Sequence, residues 1–215
     1  ALEGFVTALL VSDEACDFRN DCAAFAQRIG RIGHVNSLSQ TVLQLCSPGV
    51  PDIYQGNELW LFALVDPDNR RPVDFARRVA LLDRLRDEWH RGQGSRLTVE
   101  LLGNLEDGRF KLFLIWRCLS HRRRHPKLFS HGDYVPLETS GPGSRHVVAF
   151  ARCHGRSCVV VAVPRLVAAT GAWSQDTPDS SYWQGTHLLL PPQVEGQLLV
   201  DLLTGDPIAT EAARP

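Results

Sequence analysis

The chain has 215 residues, a formal net charge of -1, 44% hydrophobic residues and 22% charged residues. That is room for one large or two modest domains of ordinary globular composition, and so balanced a charge offers no long-range attraction to nucleic acid or to an anionic membrane. No apolar run approaches the roughly 18 residues that a membrane span needs. The start, Ala-Leu-Glu-Gly, has no basic region of the kind that opens a signal peptide. The chain contains no Met. The expectation is a piece of something longer, with removal of an initiator Met before Ala1 as the plainer alternative.

Residues 2 to 11 read as a helix with Leu2, Phe5, Val6, Leu9 and Leu10 on one stripe. Ser12 and Asp13 break it. Asp17 can cap a second helix running to about Ile32, with Phe18, Cys22, Phe25, Ala26 and Ile29 inward. Gly30 and Gly33 mark a bend. A third helix follows from about Val35 to Leu45, with Val35, Leu38, Val42 and Leu45 apolar and Asn36, Ser37, Ser39, Gln40 and Thr41 polar. His34 sits at its start, where capping or filling space outweighs a substrate role.

Pro48 and Gly49 stop that helix. Pro51 to Gln55 reads as a short buried strand, Gly56 ends it, and a polar loop runs on to Asp74. Asp66, Asp68, Asn69, Arg70 and Arg71 lie close together in this loop. A buried strand that delivers its C-terminal end into a polar loop is how barrel enzymes build sites. Carboxylates and a guanidinium fork take paired hydroxyl groups in bidentate fashion, and sugars present such pairs.

Phe75 to His90 is a strong amphipathic helix with Val79, Leu82, Leu85 and Trp89 inward. Gly92 to Ser95 is a linker, Leu97 to Leu102 a short helix or strand, and Asn104 to Gly108 a turn. Arg109 to Arg124 is a further helix, packed through Phe110, Phe113, Leu114, Trp116 and Leu119. Its basic end, Arg122-Arg123-Arg124-His125-Pro126, complements the helix dipole better than it suits nucleic acid, since the rest of the chain is not basic. From about Tyr134 the period changes. Val147 to Ala151, Cys158 to Val163, His187 to Leu190 and Leu198 to Leu203 are short β-rich runs between Gly, Pro, Ser and Asp turns. They read as a small antiparallel sandwich. The loop from Val167 to Gln184 carries Trp173, Tyr182 and Trp183, which can stack on sugar faces but better suit plugging a gap against the helices.

The six Cys form no C-x-x-C pair and fit neither a zinc site nor a dense disulfide scaffold. Cys153 and Cys158 flank a hairpin turn and could face each other across it. Buried free thiols are the expectation, because the chain otherwise reads as cytosolic. Asp66-Pro67-Asp68-Asn69 lacks the Gly and Glu that a calcium loop needs. No H-E-x-x-H, phosphate-binding loop, G-x-G-x-x-G or G-x-S-x-G is present. Asp52, Glu58, Asp66, Asp68 and Asp74 suit binding better than an acid and nucleophile pair. Composition and spacing alone stop at part of a carbohydrate-handling α/β protein.

The motifs carry further. Ser-Pro-Gly-Val-Pro-Asp-Ile-Tyr-Gln-Gly-Asn-Glu-Leu-Trp (47 to 60), followed by Leu-Val-Asp-Pro-Asp-Asn-Arg-Arg-Pro-Val-Asp (64 to 74), closely resembles the maltooligosyl trehalose synthase family of the α-amylase superfamily (glycoside hydrolase family 13). Asn36 to Thr41, Asp107 to Leu112, Gly132 to Leu137, His146 to Arg152, Val163 to Leu166, Trp183 to Thr186 and Asp201 to Gly205 extend the match over nearly the whole chain. The first motif is shared loosely across the superfamily, whereas the combination is specific to this family.

The resemblance implies an α+β chain: the last strand and flanking helices of a (β/α)8 barrel, then a C-terminal antiparallel β-sandwich. It divides the chain into the barrel end (1–92), a helical connector (93–130) and the sandwich (131–215). The family's nucleophile Asp, acid/base Glu and stabilising Asp lie on earlier strands, so this chain holds no catalytic residue and is expected to be inactive alone. The implied reaction converts the reducing-end α-1,4 linkage of a maltooligosaccharide to an α,α-1,1 linkage by intramolecular transglycosylation, a retaining chemistry with two carboxylates. The pattern Asp-Pro-x-Asn-Arg implies substrate contact by Asp66 and Arg70, with Tyr54, Gln55, Asp68 and Arg71 as wall or supporting residues. A salt bridge that merely orders the loop is the bland alternative for Asp66 and Arg70. No cofactor and no metal is implied. The implied partners are the maltooligosaccharide and the N-terminal barrel portion of the same protein, with no nucleic acid and no membrane, in the cytoplasm. Barrel helices without their barrel should expose a large apolar patch or self-associate to hide it. The rival readings are a stand-alone α-glucan-binding module gripping through Trp173, Tyr182 or Trp183, and a fragment of another glycosidase of the superfamily.

Overall fold

The computed structural model describes residues 1–63, 65, 67, 70–173, 179–194 and 196–210. Its helices are α1 (Leu2–Val11), α2 (Cys16–Cys46), α3 (Phe75–His90), α4 (Gly94–Leu102), α5 (Arg109–Arg124) and α6 (Pro126–His131). Its strands are β1 (Asp133–Pro136), β2 (Thr139–Ser140), β3 (Val147–His154), β4 (Ser157–Pro164), β5 (His187–Leu188), β6 (Leu199–Val200) and β7 (Pro207–Ile208). The chain is therefore α+β, with its helices first and its strands after them.

The core grows around α5. Phe110 to Ile115 are all buried, and Phe113 is fully so. Leu85 of α3, Leu97 and Leu101 of α4, and Leu38 and Leu45 of α2 join the same apolar cluster. Phe150 of β3 and Val161 and Val163 of β4 close it from the other side. Sheet and helices thus share one core. The C-terminal half of α2 lies between α5 and β4, burying Val35, Leu38, Leu45 and Cys46. Ser39, on the same half, donates its hydroxyl to the Pro164 carbonyl at 2.9 Å.

The largest sheet has the order β1-β3-β4, antiparallel throughout. β2 pairs with β5, and β6 with β7, as two-stranded antiparallel pieces. The β3–β4 hairpin turns at Gly155, whose φ of +59° is the left-handed conformation that Gly adopts without strain. Arg152 lies inside, 2% exposed. Its guanidinium donates to the carbonyls of Phe129 (3.0 Å), Gly132 (2.9 Å) and Cys46 (3.3 Å). It thereby ties the sheet to the ends of α6 and α2.

Four expectations are corrected. Gly30 and Gly33 make no bend: one 31-residue helix spans Cys16–Cys46. An interior Gly costs a helix only about 1 kcal/mol relative to Ala, which its neighbours absorb. Pro51 to Gln55 forms no strand and is not buried. A strand exists only as part of a ladder, and among the described residues this segment has no partner strand. The stripe of α1 and of the first half of α2 does not face inward. Leu2, Phe5, Val6, Leu10, Phe18, Phe25 and Ile29 are exposed, Phe5 by 61%, as the expected apolar patch requires; Val79 and Leu119 are exposed as well. Finally, Cys153 and Cys158 are joined in a disulfide. They are directly opposite in the β3–β4 register with Cα atoms 4.2 Å apart, so the hairpin itself brings the sulfurs together. Cys46 and Cys118 are buried free thiols, and Cys16 and Cys22 are free but exposed.

Candidate functional site

The segment from Ser47 to Asp74 hangs between the C-terminus of α2 and the N-terminus of α3. Arg122 of α5 holds its start, donating to the carbonyls of Leu45 (2.7 Å) and Gly49 (3.0 Å). A cation at a helix C-terminus meets the negative end of the dipole. The basic end of α5 is thus spent partly on α2. The Gln44 side-chain amide bonds the Asp52 carbonyl, and Asn57 N–H closes a turn on the Tyr54 carbonyl at 3.0 Å.

The turn at Gly56 is the best-anchored point. Gly56 has φ +92°, and a Cβ there would stand 3.3 Å from Val73 Cγ2. Its N–H donates to Glu58 Oε2 at 3.0 Å, and its carbonyl accepts from Arg78 Nη2 at 2.8 Å. Arg78 Nε also meets Glu58 Oε2 at 3.0 Å, and Arg78 Nη1 reaches the Asp74 carbonyl at 3.1 Å. Asp74 caps α3 by accepting from Arg77 N–H at 2.8 Å. Glu58 and Asp74 are therefore engaged structurally, and Arg78 ties both ends of the intervening loop together.

Trp60 is the next anchor. Its Nε1–H donates to the Leu105 carbonyl at 2.6 Å. Its ring stacks on His34 of α2, centroids 4.6 Å apart and planes 19° apart. Lys111 of α5 places Nζ 5.3 Å from the centre of the Trp60 ring. Burial lowers the Lys111 pKa while the Glu58 carboxylate opposes the shift. Burial likewise lowers the His34 pKa against the pull of Glu106. His34 is thus neither a cap nor a bend residue but one face of a stack.

Tyr54 and Gln55 are exposed beside the Gly56 turn, Tyr54 by 48%. Arg70 and Arg71 are exposed at the far end of the loop. Asp66 and Asp68 lie outside the described residues. Asp52 is exposed. Among the described residues no group of three or more His, Cys, Asp and Glu could hold a metal ion, and no helix is long and apolar enough to cross a membrane. Tyr182 and Trp183 meet edge to face at 5.1 Å, and Tyr182 meets His146 in the same way at 5.9 Å. Both rings are half-buried, and Trp183 also packs against the Gly143 turn. Sequence reasoning missed Arg78 and Lys111. The available signal was their place: both sit in the first turns of helices, where the dipole disfavours a cation and a partner is needed.

No protein-family model matches the chain. Two proteins named for maltooligosyl trehalose synthase, from two strains of Mycobacterium tuberculosis, are each 39% identical over 129 residues, 57% of this chain. The chain spans 14% of their length. The solved maltooligosyltrehalose synthase of Arthrobacter ramosus superposes with a TM-score of 0.69 at 30% identity, over 94% of this chain and 23% of that one. A second solved maltooligosyl trehalose synthase gives a TM-score of 0.64 at 25% identity, over 96% of this chain and 24% of that one. In sequence and in fold, the chain is thus similar to one portion of the maltooligosyl trehalose synthases.

Proposed function

We propose that this chain is the C-terminal portion of a maltooligosyl trehalose synthase of the α-amylase superfamily, serving trehalose biosynthesis. The observation that carries the reading is that sequence likeness and fold likeness point to the same enzyme. The parent is a (1→4)-α-D-glucan 1-α-D-glucosylmutase. It cleaves the reducing-end α-1,4 bond of a maltooligosaccharide through a covalent glycosyl-enzyme. It then transfers the glycosyl group to the anomeric hydroxyl of the released glucose, giving an α,α-1,1 terminus. Water must stay out of the site, or hydrolysis wins.

In this reading, residues 1–92 are the end of the (β/α)8 barrel, 93–130 a connector and 131–215 the C-terminal sandwich. Pro51 to Gln55, irregular in this structure, pairs as the last barrel strand only in the whole enzyme, where its ladder partners belong to the preceding barrel. The apolar stripe of α1 and α2 packs on that N-terminal portion, and self-association replaces it when the chain stands alone. The nucleophile Asp, acid/base Glu and stabilising Asp belong to earlier strands, so the chain alone is inactive. Asp66 and Arg70 hold a glucose unit, with Tyr54, Gln55, Asp68 and Arg71 around them. The loop anchored by Arg78 and Trp60 supports this placement, because both of its ends are fixed while Arg70 and Arg71 remain exposed. The protein acts in the cytoplasm.

The test is kinetic. In the full-length gene product, Asp66→Ala and Arg70→Ala should each raise KM for maltooligosaccharide by about tenfold or more, the worth of a charge-assisted hydrogen bond. Unchanged KM in both variants would remove the substrate role from this loop.

A further inference from the structure

Two features of Trp60 exceed what a packed aromatic needs. First, four residues from two separate stretches, α2 and residues 105–111, converge on it. His34 stacks on the ring, Lys111 approaches it, the Leu105 carbonyl takes its N–H, and Gly108 lets its backbone come close. Gly108 has φ +77°, and a Cβ there would lie 3.1 Å from Trp60 N and 3.2 Å from Trp60 Cδ1. Second, Lys111 is only 9% exposed, and among the described residues no carboxylate forms an ion pair with it. With its stem buried, Lys111 sets its ammonium over the indole face, an attraction that strengthens as the pair is desolvated.

The chain changes character directly after this point. Leu59 is 5% exposed, whereas Phe62 is 86% exposed. Trp60 therefore stands at the edge of the buried chain, before the exposed Leu61 and Phe62 that lead toward Arg70 and Arg71.

We propose that Trp60 is a positioning residue, clamped by His34, Lys111 and the Leu105 carbonyl, that sets the departure of the substrate loop. The inference rests on the proposed function, in which that loop holds a glucose unit. Trp60 touches no substrate itself. It fixes the direction in which the chain leaves the core, and Arg78 fixes its return.

The experiment uses the full-length gene product with Lys111→Met, which keeps the packing and removes the charge, and with Trp60→Phe, which keeps a ring and removes the N–H. Three quantities are read: KM and kcat for maltopentaose, the rate of tryptic cleavage between Arg70 and Arg71, and Tm. Loss of positioning predicts a KM raised by about three- to thirtyfold, the range of a desolvated cation–π contact, with kcat within about twofold. Cleavage after Arg70 should accelerate in both variants. A lowered Tm with unchanged KM and unchanged cleavage would make the clamp merely structural and overturn the proposal. If the unmodified protein does not act on maltopentaose, the functional reading falls, and cleavage alone decides on the clamp: acceleration supports it and no change overturns it.

Discussion

Arg78 Nε lies 3.0 Å from Glu58 Oε2, a pair whose side chains are only 15% and 26% exposed. The same guanidinium reaches the Gly56 carbonyl, and the same carboxylate takes the Gly56 N–H. One ion pair therefore closes the motif on itself and joins it to α3. Exposed pairs contribute little, but removing one partner of a half-buried pair strands the other. Arg78→Met should cost about 2 kcal/mol of stability. Glu58→Gln should cost less, since an amide oxygen still accepts. Urea denaturation of both variants checks the order, and an Arg78→Met chain as stable as its parent would demote the pair to decoration.

The uninterrupted course of α2 leads to a second expectation. A Cβ at Gly30 or Gly33 would meet nothing within 4 Å. Replacing both by Ala should stabilise the helix by about 1 kcal/mol per site, visible as a higher thermal midpoint by circular dichroism. A drop instead would contradict the open space around both glycines in this structure.

Stability should also depend on pH through His121. Burial, then the nearby His125, Arg124 and Arg117 charges, lowers its pKa from 6.5 to about 4. Its ring stands edge-on to Phe129 at 5.9 Å and 4.4 Å from the ring of His125. The unfolded chain therefore binds the proton first. The contribution is fully present above pH 6.5, falls away as the pH drops toward about 4, and is constant below that. The loss is on the order of 1–3 kcal/mol. His121→Gln should flatten this part of a pH series of denaturation midpoints, and an equally steep series would assign the slope to other groups.

The Cys153–Cys158 disulfide spans a sequence separation of 5. So short a loop removes little chain entropy, at most roughly 2 kcal/mol in the loop-closure account. The hairpin register already holds the two residues together. Cys153→Ser with Cys158→Ser should therefore fold and lose no more than that, by urea denaturation. A chain that fails to fold without the bond would show that the hairpin depends on it.

Much of this was legible from local signals. The apolar period places α3 at Phe75–His90, and Gly108 and Pro126 bracket α5. β3 and β4 follow from β-branched runs on either side of Gly155. What stayed hidden depends on partners distant in sequence. Pro51 to Gln55 has strand composition, but composition supplies no neighbouring strand. The α1–α2 stripe has core periodicity, but periodicity does not say what covers it. Arg78, Lys111 and Arg152 are ordinary charges in a sequence, and only the fold brings Glu58, Trp60 and the end of α2 to them. Of the predicted site residues, Tyr54, Gln55, Arg70 and Arg71 are exposed around the anchored loop, while Asp66 and Asp68 lie outside the described residues.

The most direct measurement is product analysis after incubating maltopentaose with the full-length gene product and, in parallel, with the 215-residue chain. The account predicts a non-reducing product with a terminal α,α-1,1 linkage from the former and none from the latter. A full-length product that leaves maltopentaose unchanged, or only hydrolyses it, would contradict the central claim.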